Sequence, residues 1–177
     1  MAVWNVIDHT ELGGVNAELV DWTSISSSYD HLYVIASAGS NTSANTQSYT
    51  VQLNGETAVT NYSHTGFNYN GSMANVQSTT DACVAGLPRM SAAFVATDSF
   101  SCFEMWLPNY SNTDHFKPAI VKNTAPNTTT SSTTFYLQLN AGLWSNTAAI
   151  DQITLTASAD SFLQYSSATL YGINGAA

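Results

Sequence analysis

His31-Leu-Tyr-Val-Ile-Ala-Ser-Ala38 decides the fold class. Successive side chains of an extended chain point to opposite faces, so Leu32, Val34 and Ala36 share one face and Tyr33 and Ile35 the other. Both faces are apolar, which predicts a central strand covered on both sides. Phe100–Leu107 repeats the pattern, with Phe100, Cys102 and Trp106 opposite Phe103, Met105 and Leu107. Elsewhere the alternation is one-sided. Tyr49, Val51 and Leu53 stand against Thr50 and Gln52, and Ile153, Leu155 and Ala157 stand against Thr154 and Thr156. Phe135, Leu137 and Leu139 point one way, and Tyr136, Gln138 and Asn140 the other.

Turn-forming clusters separate these runs: Gly39–Thr46, Asn54-Gly55, Asn68–Ser72, Pro108–Asp114 and Pro126–Thr133. Asn54-Gly55 follows an alternating strand and predicts a β-hairpin with a type I′ turn. A helical stripe is missing. Glu11–Asp21 comes nearest, but Gly13-Gly14 interrupts it, and each glycine costs a helix about 1 kcal/mol, leaving room for a short helical turn at most. Eight to ten strands at this spacing predict an all-β fold, a two-sheet antiparallel β-sandwich of jelly-roll type. An immunoglobulin-like sandwich would carry a Cys…Trp…Cys spacing that this chain lacks. Residues 1–177 read as one domain. Residues 1–10 precede the first clear strand and read as a docking arm, with Trp4 and Ile7 as its contact residues.

Composition agrees with the pattern. Only 8% of residues are charged, against roughly 25% in an ordinary domain, so Ser, Thr and Asn supply the polarity. Those residues favour turns and, for Thr, strands. The net charge is −9, with Arg89, Lys117 and Lys122 as the cations. Three isolated cations cannot displace counterions from a phosphate backbone, so nucleic acid is excluded as a partner. The acidic balance repels anionic lipid, and no apolar run reaches the length of a membrane span, so no membrane role is expected. Met1–Thr10 has neither the basic nor the apolar region of a signal peptide, which implies synthesis in a cytoplasm without secretion. Cys83 and Cys102 form no metal or redox motif, and both are expected to be reduced and packed as small apolar residues. The Asn-x-Ser/Thr sequons at Asn41, Asn61, Asn70, Asn109 and Asn127 read as unused in a chain so rich in these residues.

Catalytic signatures are missing: no G-x-S-x-G, P-loop, H-E-x-x-H or G-x-G-x-x-G. Asp-His pairs occur at Asp8-His9, Asp30-His31 and Asp114-His115, but neighbours on a strand diverge, so none forms a ready dyad or chelate. No cofactor and no metal is expected. Glu104 lies in an apolar strand, where it reads as an edge residue or as the partner of Lys117 or Lys122. In Asn61–Ser72, Tyr62, His64, Phe67 and Tyr69 interleave with Asn, Ser and Gly. Such a loop suits sugar or protein contact, because its rings are apolar and its amides hydrogen-bond. Alternatively, the aromatics only pin a long loop to the sandwich. The four tryptophans read as core or subunit-interface anchors.

Trp22-Thr-Ser-Ile-Ser-Ser-Ser-Tyr-Asp-His-Leu-Tyr-Val-Ile-Ala-Ser-Ala38 resembles a segment recurring in virion proteins of tailed bacteriophages. Val51-Gln-Leu-Asn-Gly-Glu-Thr57, Asn61-Tyr-Ser-His64 and Ser166-Ser-Ala-Thr-Leu-Tyr-Gly-Ile173 are similar to later phrases of that family, in its order. The Cys83–Arg89 stretch and the low basic content depart from it. The resemblance implies a non-enzymatic β-sandwich component of the virion, either a capsid decoration (cement) protein or part of a tail or fibre, with no catalytic residues to transfer. It also implies a homotrimer. The partners would be the major capsid protein or tail proteins, with a host glycan as the ligand of a lectin-like alternative.

Overall fold

Alternating residues with few helix formers give a chain whose regular structure, among the described residues, is almost all strand. The computed structural model describes residues 3–12, 17–42, 46–70, 73–79, 81–92, 99–126, 136–158 and 161–175. The strands are β1 (Val3–Glu11), β2 (Leu19–Trp22), β3 (His31–Ser40), β4 (Thr46–Leu53), β5 (Tyr62–Tyr69) and β6 (Met73–Ser78), followed by β7 (Arg89–Ala92), β8 (Ser101–Pro108), β9 (Lys117–Ala125), β10 (Tyr136–Trp144), β11 (Ile153–Ala157) and β12 (Ser167–Asn174). One 3-10 turn, Val59–Asn61, interrupts the strands, and there is no α-helix among the described residues.

Two antiparallel sheets pack together as a β-sandwich. The larger runs β1-β12-β3-β8-β9-β10-β5-β6, and the smaller runs β2-β11-β4-β7. A short parallel pairing of β7 with the end of β3 ties them together. Between the sheets, Leu32 and Val34 of β3 and Phe103 and Met105 of β8 meet Tyr49, Val51, Ile153 and Leu155 of the smaller sheet, and all are buried. The Tyr49 and Phe103 rings meet edge to face at 5.3 Å. Each such side chain contributes about 1.5–3 kcal/mol on leaving water, so this layer carries most of the stability.

The smaller sheet has four strands and the larger eight. Over β9, β10 and β5 the irregular segment 81–89 serves as the second layer. It comes so close that a side chain on Gly142 would lie 1.8 Å from the Val84 carbonyl oxygen.

Several expectations are revised. The segment read as a free arm is the edge strand β1, paired with β12 from Val3↔Asn174 to Glu11↔Ser167. A break in register after Val6 leaves Ile7 unpaired, and its side chain packs against the core. Asn54 and Gly55 do adopt positive φ (52° and 63°), and the Glu56 N–H closes the turn on the Leu53 carbonyl at 3.0 Å. No hairpin follows, because the chain then crosses sheets and β5 pairs with β10 instead of β4. Asn54 itself anchors 149–152: its side chain donates to the Ala149 carbonyl and accepts from the Asp151 and Gln152 N–H groups. Among the described residues twelve strands form, where the sequence spacing predicts eight to ten. β3 lies centrally, between β12 and β8, yet only one of its faces is covered. Cys83 is buried, but Cys102 is exposed, and both are free thiols. Gly13-Gly14, Asn127 and Phe135 lie outside the described residues.

Candidate interaction surface

The strand that defines the candidate surface is β10. Its alternation is kept but inverted: Gln138 and Asn140 are buried, while Leu137 and Leu139 are exposed, at 49% and 38%. Buried amides need hydrogen-bond partners, and β10 finds most of them, although the side-chain oxygens of Asn140 and of Asn123 beside it have none among the described residues. Gln138 Oε1 accepts from the Arg89 N–H at 2.9 Å and from Asn123 Nδ2 at 2.8 Å, and Gln138 Nε2 donates to Asn68 Oδ1 at 3.1 Å. Asn123 Nδ2 also reaches the Arg89 carbonyl, and Asn140 Nδ2 the Ala85 carbonyl. The backbone of segment 81–89 is polar, so amides suit the face beneath it better than leucines do.

The leucines therefore belong to the outer face of the larger sheet. Directly paired residues share a face, so the register lists their neighbours. Leu139 is flanked by Lys122 and Phe67, Leu137 by Thr124 and Tyr69, and Ile120 lies opposite Trp106. Ile120 is 53% exposed and Met73, at the far edge, 71%. Toward β1 the same face turns aromatic. Trp4 packs edge-on against Tyr33 at 5.2 Å and Tyr171 at 5.9 Å, Tyr33 meets Trp106 at 6.0 Å, and Trp106 lies 5.0 Å from the His31 ring.

One ion pair interrupts the apolar surface: Lys122 Nζ lies 3.4 Å from Glu104 Oε2. That carboxylate also accepts from the Tyr33 hydroxyl at 2.7 Å. Burial, then the Glu104 hydrogen bond and charge, push the Tyr33 hydroxyl up to about 12. Tyr33, Glu104, Trp106, Ile120 and Lys122 line a shallow hollow of about 290 Å³. Lys117, the other cation considered for Glu104, is on the opposite face. It is buried, donates to the His115 and Thr147 carbonyls at 2.7 and 2.9 Å, and has its pKa lowered by desolvation.

The expected aromatic loop is a strand, and its alternation splits the four candidates. Tyr62 and His64 point inward and are buried, whereas Phe67 and Tyr69 point outward. Tyr62 is a structural pin. Its hydroxyl accepts from the Leu53 N–H at 3.1 Å and donates to the Glu56 carbonyl at 3.2 Å, and burial raises its pKa to about 12. Desolvation lowers the pKa of His64, with Asp81 opposing. Phe67 and Tyr69 join the outer face, as does half-exposed Trp4, while Ile7 does not. Trp106 is one of the tryptophans that read as core or subunit-interface anchors, whereas the sequence does not single out Tyr33, Ile120, Leu137 and Leu139 as contact residues. The two-faced apolar pattern of 32–38 is the available signal for Tyr33.

The Asp-His pairs stay separate. His9 Nδ1 lies 2.7 Å from Thr169 Oγ1, and His31 Nδ1 accepts from the Asn109 N–H at 3.1 Å. Among the described residues no three His, Cys, Asp or Glu side chains gather as a metal site, and no helix is long and apolar enough to cross a membrane. The class defined so far is a β-sandwich with one uncovered, largely apolar sheet face. No protein-family model, curated protein or solved structure matches the chain.

Proposed function

We propose that this chain is a non-enzymatic structural subunit of a tailed-bacteriophage virion, and that it decorates and stabilises the assembled head. The inverted strand β10 carries the reading. A chain that buries Gln138 and Asn140 and exposes Leu137 and Leu139 is built to have its outer sheet covered by protein. Phage virion protein is the identity suggested by the resemblance. Its phrases fall on neighbouring elements, since Trp22–Ala38 leads into β3 and Ser166–Ile173 forms β12, its direct partner at seven positions. Strand order also supports a jelly roll. With the β5–β6 and β9–β10 hairpins set aside, β1-β12-β3-β8 faces β2-β11-β4-β7, and all but one of the chain connections between those eight strands cross between sheets. The two hairpins are then insertions that widen one sheet into the docking face. The partners are the major capsid protein and further copies of the chain, as a homotrimer.

A gold label on this protein, imaged on purified virions, tests the location. The label should decorate the head; label confined to the tail would replace the reading with a tail or fibre role. One observation favours a lectin-like variant of that role: Tyr33 and Trp106 wall the hollow beside the Glu104 carboxylate, an arrangement that suits stacking and hydrogen bonding of a host sugar. In either role the protein should release no reducing sugar from host polysaccharide.

A further inference from the structure

We propose that the immediate occupant of the outer face of the larger sheet is a second copy of this chain, an inference that rests on the structural-subunit reading above. Charge selects the occupant. The whole chain carries −9, so two copies repel wherever carboxylates meet. On β3, β5, β6, β8, β9, β10 and β12 the sole acidic residue is Glu104, and on the outer face Lys122 neutralises it. The edge strand β1 adds exposed Asp8 and Glu11, and Glu18, Asp21, Asp30, Glu56, Asp114 and Asp151 lie on other elements. Carboxylates are thus confined to the β1 edge of the face, and its centre carries no net charge, so an acidic protein can approach its own copy there.

The area is sufficient. Seven interstrand steps of about 4.8 Å and strands of about eight residues at about 3.3 Å give a face of roughly 34 by 26 Å, about 900 Å². A stable interface needs about 800 Å² per partner. Composition points the same way, because aromatic residues and the aliphatic patch around Ile120, Leu137 and Leu139 replace charge at the centre of the face. A basic lipid-binding or nucleic-acid-binding partner surface is not present there.

The test is the mass of the full chain by light scattering during size exclusion at micromolar concentration. The wild type should run as a multiple of 18.9 kDa. Ile120→Lys and Leu139→Lys, which place a charge in the centre of the face, should run as folded monomers by circular dichroism. Leu19→Lys, an exposed apolar position on β2 outside the face, should leave the mass unchanged. If a lysine variant does not fold, Leu139→Ala supplies the answer, and should weaken self-association by about tenfold on dilution. A monomeric wild type, or an oligomer indifferent to folded face variants, overturns the inference. A monomer that still protects virions would leave the decoration role standing without it, whereas an oligomer that never binds virions would do the reverse. Three copies is the number the phage resemblance implies; two would correct that number and keep the occupant.

Discussion

Replacing Gln138 by leucine makes β10 more apolar and should nevertheless destabilise the fold. Gln138 is buried, and its side-chain oxygen is the acceptor for the Arg89 N–H, which a leucine would orphan. Asn123 would keep its bond to the Arg89 carbonyl but lose the one it donates to Gln138, and partly exposed Asn68 can turn to water, so two donors, the Arg89 N–H and one Asn123 Nδ2 hydrogen, are orphaned. Each costs about 1–3 kcal/mol, and burial of the leucine side chain offsets part of the sum. The net loss should be about 2 kcal/mol. Next to it, Leu139→Ala removes a side chain already 38% exposed and should cost the isolated subunit less than about 1 kcal/mol. Urea unfolding reads both, at protein concentrations low enough that the midpoint no longer depends on concentration. At a slope of about 2 kcal/mol per molar, Gln138→Leu should lower the midpoint by about 1 M, and Leu139→Ala by less than half of that. The reverse order, with Leu139→Ala the costlier and Gln138→Leu neutral, would refute the inverted strand and everything built on its outer face.

Three further outcomes follow from single sites. Gly142→Ala should destabilise by about 3 kcal/mol in the same assay, because its side chain would meet the Val84 carbonyl, which is backbone and cannot swing away. His64 is held below its ordinary value of 6.5 by burial, so between 6.5 and its folded value the unfolded chain binds the extra proton. Stability should therefore fall as pH drops from 6.5, before most carboxylates titrate, and His64→Gln should remove that part of the slope in a thermal-melt pH series. In the Ile120→Lys variant Cys102 should react promptly with a water-soluble thiol reagent, while Cys83, buried and with a raised pKa, should react only on unfolding.

Period-two reading found which residues share a face, because that follows from strand geometry alone. It grouped Tyr49 with Val51 and Leu53, and Trp106 with Cys102, as the fold does. It could not say which face is the core. Leu137 and Leu139 look like core residues in any local window, and only the polar segment packed against Gln138 and Asn140 inverts them. The same gap concealed the open face of β3, since Tyr33 and Ile35 would look identical under a second layer of the same molecule. Asn61–Ser72 reads as a loop on its Asn, Ser and Gly content, although Tyr62, His64 and Asn68 already alternate with Phe67 and Tyr69. Trp4 and Ile7 read as part of an arm because the strand that pairs with theirs, β12, lies more than 150 residues away, a pairing that no local pattern carries.

If this protein stabilises a virion head, as proposed, the temperature at which particles release their DNA reports it. Particles depleted of the protein should assemble, release DNA at a lower temperature than wild-type virions, and regain resistance when purified protein is added back, with little loss at moderate salt because only 8% of the residues are charged. Depleted particles that hold their DNA equally well yet no longer adsorb to host cells would contradict the account.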